Sequence, residues 1–136
     1  MKLSNPFKKK AAKQNTVEVI DPRDMPKPSD LASFLRRGWA YHSRQNESAA
    51  EGDFRSALAL DGDSVDAHYG LGLSLKSQGR REDAVTVFKK ALTLLGTVEG
   101  AGQVRSSMLH RLILGHINEL TLGDWNFEQE VWHHGT

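Results

Sequence analysis

Six histidines, His42, His68, His110, His116, His133 and His134, are the side chains of this sequence best suited to metal or acid–base chemistry. None stands in a His-Glu-x-x-His pair or another recognised zinc spacing. His116 and Glu119 fall on one helical face, but two donors do not close a tetrahedral site, and His133-His134 offers only an adjacent pair. With no cysteine in the chain there is no thiolate nucleophile, no Cys-ligated metal and no disulfide framework. Gly70-Leu71-Gly72 holds two glycines of a dinucleotide fingerprint, yet no strand precedes it and the third glycine is missing. Lys76-Ser77 lacks the glycine that stands before the lysine of a phosphate loop. Serine, histidine and aspartate all occur without a pattern that joins them. The expectation is a protein without catalytic residue, cofactor or metal, and so not an enzyme.

Charge and proline divide the chain instead. Residues 1–28 hold all four prolines and seven Lys or Arg against three acids, whereas the remainder is slightly acidic. Such a composition reads as a basic, Pro-containing flexible tail, with 29–136 as the folded part. Lys8, Lys9, Lys10 and Lys13, with Leu3 and Phe7 near them, could contact an anionic membrane surface or a nucleic-acid backbone. A solvated tail is the preferred reading, because charge runs of this kind are usually solvated. The lysines are followed by no apolar run that would make a secretory signal, and no segment approaches the roughly 18 apolar residues of a membrane span. The expected location is cytoplasmic, with a peripheral place at a membrane complex as the variant.

The folded part is written twice. One constant shift places Gly38 on Gly72, Ala50 on Ala84, Phe54 on Phe88, Ala57-Leu58 on Ala91-Leu92 and Gly62 on Gly96. A period of that size, about 34 residues, marks a supersecondary unit that buries its apolar face by stacking on its own copy. Within each unit apolar residues recur at helical spacing. The pattern resembles the tetratricopeptide repeat, whose helix–turn–helix unit has this length. Phe34, Gly38, Tyr41, Ala50, Phe54 and Ala57 carry the likeness in the first copy, and Leu71-Gly72, Gly79, Ala84, Phe88 and Ala91 in the second. Arg37 stands in place of Leu, His68 in place of the first aromatic, and Leu75 in place of Tyr.

The elements follow from capping signals. Ser29 or Asp30 caps a first helix to about Arg44. Ser48-Ala49-Ala50-Glu51 has the form of a capping box and sets the start of the second. Asp63 or Ser64 caps a third, which Gly79 ends, and a fourth runs from about Arg81 to Gly96. Beyond Thr97 the register breaks: Leu114-Gly115 follows Leu71-Gly72 by more than one period. A long helix from about Gln103 to Leu120 reads as the first half of a degenerate third repeat, and Trp125, Phe127, Val131 and Trp132 as a short C-terminal cap. The expected fold is all-α, a tetratricopeptide-like helix-turn-helix solenoid of two clear repeats, a degenerate third and a C-terminal cap.

The resemblance implies a concave groove lined by the first helix of each repeat. Matched onto this sequence, that groove holds Leu35, Trp39 and His42, then Tyr69, Leu73 and Lys76, then Leu112, His116 and Glu119. Trp and Tyr are frequent anchors of protein interfaces. The implied function is protein–protein interaction, as an adaptor, assembly factor or small subunit of a larger complex that takes a peptide or helix in the groove. Some family members clamp chaperone tails with Lys and Asn; Leu35, Trp39 and Gly70 occupy the matched positions here, so that ligand is not implied. The rival reading is an electrostatic tether acting through the lysine tail on membrane or nucleic acid, the latter being the less favoured surface.

Overall fold

Short polar side chains set most of the helix starts. The computed structural model describes residues 20–96 and 103–123. Within them lie α1 (Leu31–Ser43), α2 (Glu47–Leu60), α3 (Val65–Ser77), α4 (Arg81–Leu95) and α5 (Gln103–Leu122), and no strand. At the head of α1, Asp30 accepts from the Ser33 N–H at 2.8 Å while the Ser33 hydroxyl accepts from the Asp30 N–H at 3.1 Å, so two helix-end donors are satisfied reciprocally. Ser64 caps α3 by accepting from the Ala67 N–H at 3.1 Å. The start of α2 differs from the sequence expectation. Asn46, not Ser48, is the cap, and Glu51 turns away to accept from Arg55, Gln78 and Arg80 at 2.8–3.0 Å. A tertiary ion-pair hub thus outcompetes the local capping box.

The first helix of each unit ends the same way. Gln45, Gly79 and Gly123 all adopt left-handed backbone, with φ of 63°, 78° and 76°, the conformation that reverses a chain after a helix. Gly62 and Gly96, also glycines at helix ends, take no such φ. The helices stack in chain order, α1 on α2, α2 on α3, α3 on α4 and α4 on α5, and α1 also meets α3.

The residues that repeat are the core. Ala50, Ala57, Phe54 and their copies Ala84, Ala91 and Phe88 are all fully buried. The phenyl rings occupy sites kept open by glycine. A β-carbon at Gly38 or Gly70 would lie 2.9 or 2.4 Å from Phe54, and one at Gly72 would lie 2.5 Å from Phe88. Phe54 therefore sits between α1 and α3, joining one repeat to the next. Leu71, Leu75, Leu95 and Ile113 complete the cluster.

Within the stretch that composition places in the tail, Pro22–Asp24 contacts α1. Pro22 is fully buried within a 3-10 turn, Pro22–Asp24, and Asp21 accepts from both the backbone and the guanidinium of Arg23. Those bonds hold the Asp21 carboxyl well below the usual carboxylate range. Lys8, Lys9, Lys10, Lys13 and the C-terminal aromatics lie outside the described residues.

Candidate partner-binding groove

Three helices, α1, α3 and α5, bring their aromatic rings into one row. Trp39 on α1 meets Tyr69 on α3 with ring centres 6.1 Å apart, and Tyr69 meets His116 on α5 at 5.9 Å. The buried phenylalanines form the back of the row. Trp39 stands edge-on to Phe54 at 5.0 Å, and His116 lies parallel to Phe88 at 5.2 Å with 9° between planes. Trp39, Tyr69 and His116 remain only half-buried, so each has one side on the core and another accessible. Such aromatic pairs add about 0.5–1.5 kcal/mol beyond the area they bury.

The row leads into a polar end. Lys76 Nζ lies 3.0 Å from His116 Nδ1 and 2.8 Å from Glu119. A lysine ammonium only donates, so Nδ1 accepts and the imidazole proton sits on Nε2, where it points to the Tyr69 hydroxyl at 3.5 Å. Burial, then the neighbouring Lys76 charge, pushes the His116 pKa down to about 4, against the weaker opposite pull of Glu119. His116 is therefore neutral at physiological pH, and it behaves as an aromatic platform with one acceptor. Lys76 holds the Glu119 carboxyl below its ordinary range. At the α1–α2 turn, His42 Nδ1 meets Glu47 at 2.7 Å and packs its ring against Trp39 at 5.8 Å.

The residues matched to the groove from sequence thus fall into three sets. Trp39, His42, Tyr69 and His116 join through ring contacts, and Lys76, His116 and Glu119 through hydrogen bonds. Leu35 and Leu73 pack against the core from its edge, and Leu112 is 42% exposed on α5. Sequence reasoning missed the parallel stack of His116 on Phe88 and the hold of Glu47 on His42. It also missed Met108, exposed one helical turn before Leu112. Only the last carried a readable signal, the helical spacing of Met108 from Leu112 and His116.

His68 has a structural place instead. It is buried, and its Nδ1–H donates to the Ser64 carbonyl at 2.9 Å. Among the described residues no group of three or more His, Asp or Glu is placed to hold a metal ion, and no helix is long and apolar enough to cross a membrane.

Stacked helix pairs of one length, each with a buried phenylalanine on a glycine slot, define a helical-repeat protein of the interaction type. The family model of the tetratricopeptide repeat matches residues 65–94, which are α3 and nearly all of α4, and the α1–α2 pair repeats their pattern one period earlier. No curated protein and no solved structure matches the chain.

Proposed function

We propose that the face formed by α1, α3 and α5 binds a peptide or helix of a protein partner, and that the chain acts as an adaptor, assembly factor or subunit of a larger complex. The observation that carries this reading is the half-buried row Trp39–Tyr69–His116, backed by Phe54 and Phe88. Rigid rings already packed from behind lose little conformational freedom when a partner covers their open side. The Lys76 and Glu119 charges at the polar end are paired within the chain, so apolar side chains of the partner supply the affinity, and the paired charges select against a misplaced ion.

The test is affinity capture from the native source with mass spectrometry, comparing the intact chain, Trp39→Ala/Tyr69→Ala, and a chain lacking residues 1–19. Circular dichroism of the double variant checks that its helices persist. A partner held by the intact chain and by the truncated chain, but lost by the double variant, supports the groove. Retention that depends on residues 1–19 and falls with added salt would place the function in the lysine segment instead.

A further inference from the structure

The joint between the second and third units differs from the joint before it. α2 ends at Leu60 and α3 begins at Val65. His68 is buried at that joint, with its Nδ1–H on the Ser64 carbonyl. At the later joint Leu114-Gly115 stands for Leu71-Gly72, which puts Arg111 in the place of His68. Arg111 is exposed, and beside it lies a cavity of about 300 Å³ lined by Leu95, Gly96, Ser106, Ser107, His110 and Arg111.

The polar lining of this cavity is rich in hydrogen-bond donors. Ser43, Thr86, Thr93 and Thr121 turn their hydroxyls back to carbonyls of their own helices. The hydroxyls of Ser106 and Ser107, the His110 ring and the Arg111 guanidinium take no such partner among the described residues. Arg37, Arg55, Arg80 and Arg105 each reach a carboxylate; Arg111 reaches none among the described residues. Between 84 and 118 the described residues carry Lys89, Lys90, Arg105 and Arg111 and no acid. A guanidinium is not deprotonated in proteins, so the cavity keeps its positive charge at any physiological pH.

We propose that the α4–α5 cavity binds the phosphate group of a small phosphomonoester. Arg111 supplies the planar fork that matches phosphate oxygens. Ser106, Ser107 and His110 supply further donors, and Leu95 gives the organic part of the ligand an apolar wall. The volume falls at the small end of ligand sites, which suits a single ring or short chain bearing one phosphate. The lining residues of α5 fall on a different side of the helix from Leu112 and His116. The site is therefore separate from the groove and does not rest on it.

The test is amide NMR of the isotope-labelled full chain, titrated at fixed salt with phenyl phosphate, inorganic phosphate and benzoate. The expected result is saturable binding of phenyl phosphate, with the largest shifts at Leu95, Gly96 and 106–111. Arg111→Gln should weaken it about tenfold or more, since hydrogen bonds to a charged group are lost. Arg36→Gln, which removes another exposed arginine, should leave it unchanged. Both substitutions are at the surface, so both spectra should keep the pattern of the intact chain. Inorganic phosphate binding as tightly as phenyl phosphate would leave an adventitious ion only, and equally tight benzoate a general anion site; either overturns the proposal. So would titrations that do not saturate, or binding that survives Arg111→Gln.

Discussion

Arg37 and Asp53 show how one unit was altered at a single pair of positions. Their copies one period on are Leu71 and Val87, both part of the apolar packing. In the first unit a two-pronged ion pair replaces them, with both N–O distances at 2.8 Å and the Asp53 side chain only 6% exposed. Asp53→Val alone strands a partly buried guanidinium and is expected to cost about 3 kcal/mol in urea denaturation. Arg37→Leu/Asp53→Val restores the pairing of the second unit and is expected to be neutral or stabilising by about 1–2 kcal/mol. The departure at Arg37 was legible in the sequence; its partner was not, because Asp53 lies on another helix and no local spacing ties the two.

His116 gives a pH dependence at the same scale. Its folded pKa is about 4 against a reference of 6.5, so between those values the unfolded chain binds a proton that the folded chain refuses. Stability therefore falls as the pH drops from about 6.5 to about 4, and the lowered Glu119 extends the loss further into acid. Thermal midpoints measured at pH 7.5 and pH 5 should differ more for the intact chain than for His116→Gln. Equal differences would show that His116 has no part in the acid sensitivity.

Among the helices, glycine serves opposite ends. Gly70→Ala pushes a methyl group into the Phe54 ring and is expected to cost about 1–3 kcal/mol, whereas Gly52→Ala, in the open on α2, gains up to about 1 kcal/mol from helix propensity. At the turns, Gln45 holds the left-handed backbone that Gly79 holds in the second unit. Gln45→Gly should then gain up to about 1 kcal/mol, and Gly79→Ala should lose about as much. Chemical denaturation of the four variants checks the pattern of signs. The helix order and most ends were readable from spacing and caps. The start of α2 was not, because Glu51, the residue completing the apparent capping box, is bound by Gln78 and Arg80 from the next unit. Nothing local in Ser48–Glu51 reveals that competition.

Over the whole molecule, the repeat explains both the fold and the limit of what sequence reveals about its use. Phe54 and Phe88 could be assigned to the core because the copies report on each other. The third unit breaks register, so the parallel seat of His116 on Phe88 had no earlier copy to announce it. A stack built this way gives its first helices a common face, and the central claim is that this face takes the partner. The most direct measurement uses a partner recovered by affinity capture and compares its Kd for Leu112→Glu, exposed on α5, with that for Leu60→Glu, exposed at the end of α2. Neither change disturbs a buried side chain. A charge in the groove should weaken binding by about tenfold or more, while the same charge at Leu60 should leave the Kd unchanged. Unchanged binding for Leu112→Glu with loss for Leu60→Glu would contradict the account and move the interface to the outer helices.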